Sequence, residues 1–133
     1  MKGKKKWLLL LIIPVVFVII ILSFIGIILG KMKKQLEQID TSTVDISQVA
    51  DGIYMGESET ELVKVAVNVT VKDGKIENID ILKHECGKGK PAERIIESII
   101  QKNNVEVDAV SGATVSSRVI QDAVRTALRK GMK

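Results

Sequence analysis

The sequence predicts an α+β fold: a small antiparallel sheet packed against two helices, preceded by one N-terminal transmembrane helix. Three observations predict it. Trp7–Leu29 is a run of 23 residues with no charged side chain. Val63, Val65, Val67, Val69 and Val71 alternate with Lys64, Ala66, Asn68 and Thr70, which is the period of a half-buried strand. Ile95, Ile96, Ile99 and Ile100, and later Val119, Ile120, Ala123, Val124, Ala127 and Leu128, recur at helical spacing.

The 133 residues suffice for one small domain plus an anchor. As a helix, Trp7–Leu29 would reach about 34 Å, against a hydrocarbon core of about 30 Å. A signal peptide competes for the same run, but its apolar region is shorter and ends at a small-x-small site. The anchor is therefore assigned to residues 1–30, with the membrane contact at 7–29. Four lysines precede the run and Lys31, Lys33 and Lys34 follow it. With the amino terminus added, the positive-inside bias puts the N-terminus inside and the domain outside.

The formal net charge of +4 is unevenly placed. Before Asp45 seven lysines face Glu37 and Asp40, a net of +5; the remaining 13 basic and 14 acidic residues leave −1. The domain has no charge excess and almost no aromatic residues to recruit nucleic acid. One cysteine excludes an internal disulfide and a cysteine metal cluster. Residues 31–50 are mostly polar and read as a linker, leaving 51–133 for the domain.

The domain opens on Asp51-Gly52-Ile53-Tyr54-Met55-Gly56, a strand start with glycine turns. The valine strand follows. Asp73-Gly74 supplies the positive-φ positions of a hairpin turn. The return strand is Ile76–Leu82, with Ile79 and Ile81 on one face and Ile76 out of phase, the mark of a bulge. His84-Glu85-Cys86-Gly87-Lys88-Gly89 reads as a loop. A lone His and a lone Cys are too few for a metal site, and no third group orients them as a catalytic pair. Pro91 suits a first helical turn, Asn103-Asn104 ends that helix, and Val105–Val110 reads as strand-like. Along the last helix Arg118, Asp122, Arg125 and Arg129 are expected to face water, with Gly131 past its end.

Asp108-Ala109-Val110-Ser111-Gly112-Ala113-Thr114-Val115-Ser116-Ser117 joins the strand-like run to the helix-period run that leaves from Ser117. Gly112 permits φ > 0 or a close approach to the backbone. Thr114, Ser116 and Ser117 fall where a helix has unpaired N–H groups and its positive dipole end. Such a place takes anions, phosphate above all. A plain strand-to-helix turn with Ser and Thr caps would use the same residues.

Asp108-x-x-Ser111-Gly112-Ala113-Thr114 with Ser116-Ser117 resembles the flavinylation motif of the FMN-binding domain family, which includes covalent-flavin subunits of bacterial redox pumps. Asp51-Gly52-x-Tyr54-x-Gly56 resembles that family's opening strand. His84-Glu85-Cys86-Gly87 resembles its flavin-packing loop, with cysteine where threonine is usual and the proline missing. The resemblance implies FMN joined covalently to Thr114 by a phosphoester, delivered from FAD by a flavin transferase. It implies that Ser111, Gly112, Ala113, Val115, Ser116 and Ser117 surround the phosphate, and that Glu85, Cys86 and Tyr54 contact the flavin. Asp108, Ser111, Gly112, Ala113 and Thr114 are then the transferase's recognition set. The implied function is a single-pass cell-membrane electron carrier with its domain outside the cytoplasm, served by a membrane dehydrogenase or quinone-linked partner. Two alternatives stay open: a flavin subunit of a reductase completed by a partner chain, and a non-covalent FMN or phosphate-binding module. No residue set for a substrate reaction stands out.

Overall fold

The computed structural model describes residues 2–39, 41–85 and 90–133. Its elements are α1 (Lys2–Glu37), β1 (Gly52–Glu59), β2 (Lys64–Lys72), β3 (Lys75–Glu85), α2 (Ile95–Lys102) and α3 (Thr114–Lys130). The chain divides into two compact units, Met1–Lys34 and Gln35–Lys133.

The first unit is the apolar part of α1. Leucine, isoleucine, valine and phenylalanine cover it on all sides and are exposed. Its length and composition suffice to cross a membrane, a test that an N-terminal signal sequence also passes.

The second unit is α+β. Its sheet has the order β1-β2-β3, antiparallel throughout. Lys72 and Lys75 close the β2–β3 hairpin around Asp73 at φ 52° and Gly74 at φ 72°, the two left-handed positions that an Asp-Gly turn supplies. Register shifts leave Glu77 and Leu82 as extra residues on β3. The first is the bulge that the phase of Ile76 demands. Together they turn Ile76, Ile79, Ile81 and His84 all to one face, in rows with Val71, Val69, Val67 and Val65. Each extra residue resets the alternation of a strand. β3 thus runs through His84 and Glu85, which the sequence suggests are loop.

α2 lies against β3, and α3 against β1 and β2. Ile95 and Ile99 of α2 and the six-residue apolar stripe of α3 close the core against the β2 valines. Asn103 caps α2 in the left-handed conformation, φ 47°. At Gly56 the sheet touches α3 directly: a Cβ there would stand 1.9 Å from the Ala123 carbonyl oxygen.

Other sequence expectations also differ from the structure. Val105–Val110 is irregular and no strand of the sheet, because its backbone is held by side chains of α3. Arg125 is only 3% exposed and ion-paired to Glu106, while Asp122 is half-buried and accepts a hydrogen bond from Ser58 Oγ at 2.6 Å. α3 is covered on more sides than its apolar stripe indicates. Within the 31–50 stretch read as linker, Val44, Ile46 and Val49 are buried in the core. There Ala50 N–H donates to the Gly131 carbonyl at 2.8 Å and Val49 bridges to Met132.

Candidate functional site

The chain enters the site through a β-turn. Ala113 N–H donates to the Val110 carbonyl at 3.0 Å, and Gly112 sits third in the turn at φ 79°, the glycine position of a type II turn. Ser111 and Gly112 are exposed, and a Cβ on Gly112 would meet nothing within 4 Å. The turn stands open to a large reactant.

α3 begins at Thr114, three residues before the helix-period run at Ser117. Ala113 is its N-cap and no side chain caps it. The first helical bond runs from Ser117 N–H to the Ala113 carbonyl at 3.0 Å. Among the described residues nothing accepts from the N–H groups of Thr114, Val115 and Ser116. Thr114 itself is exposed. An exposed hydroxyl beside three free amides at the positive end of a 17-residue helix suits a phosphate ester.

The other motif residues are sorted by burial. Ser116 and Ser117 are buried. Ser117 Oγ donates to the Ala113 carbonyl at 2.7 Å and accepts from Val110 N–H at 3.0 Å, so its hydroxyl shapes the turn. Val115 is half-buried and Asp108 exposed. Asp108 and Ala109 line a cleft of about 330 Å³ together with Arg118, Gln121 and Ile39. Arg118 is exposed, one turn beyond Thr114 on the same face of the helix.

The sheet rows show which end of the domain each remaining residue occupies. Ser58 meets Asp122, Gly56 meets Ala123 and Ala127, and Tyr54 meets Gly131. β1 therefore climbs toward the N-terminus of α3. The Ser58–Val65–His84 row lies at that end, with Glu85 one residue further. Glu85 is exposed, 3.4 Å from Lys83 Nζ. Cys86 and Gly87 lie outside the described residues. Tyr54 is at the opposite end, about 24 Å along α3 from Thr114. Its hydroxyl donates to the Ala50 carbonyl at 2.7 Å and its ring covers Gly131. The structure does not bring Tyr54 to the site; it ties the first strand to the end of the last helix.

Sequence reasoning missed His84. Its side chain is 2% exposed, with Nδ1 3.0 Å from Glu93 Oε1, and among the described residues the buried Nε2 has no hydrogen-bond partner. A three-residue step from Ile81, repeating the step from Ile76 to Ile79, is the signal that could have turned it inward.

The fold and the site define a small α+β domain with an anion-ready helix start and an exposed threonine on it. The family model for the FMN-binding domain matches residues 62–129, just over half of the chain, and the chain belongs to that family. The match takes in β2, β3, α2, the Asp108–Ser117 motif and nearly all of α3. No solved structure matches the chain. With its apolar N-terminal helix the chain fits a membrane-anchored flavin-binding protein.

Proposed function

We propose that this protein is an extracytoplasmic electron carrier that holds FMN covalently on Thr114. The observation that carries the reading is the exposed Thr114 hydroxyl at an uncapped helix start. A flavin transferase would supply FMN from FAD. Thr114 Oγ bonds to the FMN phosphorus, the bond between the two phosphates breaks, AMP leaves, and the hydroxyl proton passes to base. The product phosphodiester keeps one negative charge, which the amides of Thr114, Val115 and Ser116 and the helix dipole stabilise. Gly112 and Ser111 leave the approach clear. Bound FMN supplies the redox chemistry; the protein positions it. A covalent bond suits a domain of this size, which can cover only part of a flavin, and a place where a lost cofactor is not recovered.

The electron partners by this reading are a membrane dehydrogenase or quinone-linked donor and an acceptor outside. Intact mass after expression with and without a flavin transferase tests the attachment. A gain equal to FMN less one water is expected only with the transferase.

Two smaller outcomes accompany it. Protease added to intact spheroplasts should remove the chain beyond Lys34; full protection until lysis would reverse the topology. Tyr54→Phe should keep its flavin and lose about 1 kcal/mol of stability, the worth of one hydrogen bond, in urea unfolding of the flavinylated protein. Loss of flavin from a folded Tyr54→Phe protein would return Tyr54 to the site.

A further inference from the structure

Ser117, Gln121 and Arg125 stand four residues apart along α3, so they form one row on it. All three are polar and all three are buried. Such a row costs desolvation unless each member is satisfied. Here one segment satisfies all of them. Ser117 Oγ holds Val110 N–H and the Ala113 carbonyl. Gln121 Nε2 donates to the carbonyls of Val105 at 2.9 Å and Val107 at 2.8 Å. Arg125 Nε donates to Glu106 Oε1 at 3.0 Å, and its Nη2 joins the same oxygen. The segment 105–113 is thus laid back along the helix that it leads into.

The segment's two ends, Val105 and Ala113, are buried in the core, and Val107 and Val110 pack partly against it. Between those ends no residue is fully buried, and among the described residues its backbone pairs with no strand, so the polar row is what fixes the stretch between them. An apolar row would cost less to bury but would leave the segment free to slide.

We propose that the row is a positioning device for the cofactor loop. Gln121, the member gripping two carbonyls, fixes Val105–Val107 on α3 and thereby holds Asp108–Ala113 in the open turn beside Thr114. A flavin attached there keeps one place on the protein instead of riding a loose loop. The proposal rests on the reading of Thr114 as the attachment site.

Gln121→Met keeps length and removes the donor. Gln121→Glu keeps shape and turns an acceptor toward two carbonyls. Both are made in the full chain in detergent, and hydrogen exchange is read at the Val107 and Val110 amides without flavin. Loss of two neutral hydrogen bonds should speed that exchange roughly tenfold or more, with the β2 amides unchanged. The same variants, co-expressed with a flavin transferase and confirmed by mass, should raise the iodide quenching constant of flavin fluorescence about twofold as the loop opens more often. Glu106→Gln, an exposed and gentler change, should move both readouts in the same direction. Native exchange and native quenching in folded, flavin-loaded Gln121→Met would overturn the proposal. A native protein that gains no flavin would instead overturn the Thr114 reading. The exchange measurement still decides the row in that case: unchanged protection at Val107 and Val110 overturns it.

Discussion

Thr114→Val is expected to abolish covalent labelling while leaving the fold in place. Valine keeps the size and the β-branch and removes only the oxygen that can form the ester. Position 114 is exposed, so the substitution should change stability by no more than about 0.5 kcal/mol. Co-expressed with a flavin transferase, the native chain should gain the mass of FMN less one water and fluoresce as a denatured band. The variant should do neither. The neighbouring hydroxyls supply the controls, and the structure ranks them. Ser116 is buried, and the Ser117 hydroxyl is committed to two backbone partners. Ser111 is the exposed hydroxyl besides Thr114 in the motif, but by the motif's resemblance it belongs to the transferase's recognition set and so is not a neutral control. Ser116→Ala and Ser117→Ala should both be labelled. Ser117→Ala should also lose about 1–3 kcal/mol, because Val110 N–H loses its acceptor. Labelling of Thr114→Val at the native level would move the acceptor elsewhere, and mass mapping of the labelled peptide would name its place.

What was legible in the sequence was whatever followed a strict period. The β2 valines, the Asp-Gly turn and the stripes of α2 and α3 each obey one rule along one element. The motif's form, a turn leading into a helix, was legible for a different reason: a glycine able to take positive φ, followed by hydroxyl residues, marks such a junction locally. What escaped depended on partners distant in the chain. Val105 and Val107 alternate as a strand does, yet their carbonyls are taken by Gln121, more than a dozen residues later. Arg125 reads as a surface cation until Glu106 is folded against it. His84 reads as a loop residue because two bulges, each adding one residue to β3, turn it to the inner face. Val44, Ile46 and Val49 sit in a polar stretch whose docking partner is the end of the chain.

Gly56→Ala should destabilise the domain more than any other single-methyl addition. β1 crosses α3 there without a side chain between them. A Cβ would stand 1.9 Å from the Ala123 carbonyl oxygen, 2.6 Å from the Ala127 amide nitrogen and 2.9 Å from the Ala127 Cβ. Two of these three atoms are helix backbone, so no rotamer change relieves the contact and the helix must lift off the sheet. Ala123 and Ala127 are themselves fully buried, and lifting them would also loosen Val119, Val124 and Leu128 from the β2 valines. Overpacking of a core costs about 1–3 kcal/mol and sometimes more; with no flexible atom to yield, about 3 kcal/mol or more is expected. The gain from restricting the unfolded chain, about 0.4–1 kcal/mol for Gly to Ala, does not offset it. Against a total of about 5–15 kcal/mol for an ordinary domain, the variant should unfold at clearly lower urea with an unchanged slope. Gly112→Ala is the contrasting case. Its Cβ meets nothing within 4 Å, and only its φ of 79° is unfavourable, so about 1–2 kcal/mol should be lost. Equal urea midpoints for Gly56→Ala and the native protein would mean that β1 and α3 do not meet at this glycine, and the opposite-ends assignment of Tyr54 and Thr114 would lose its middle rung.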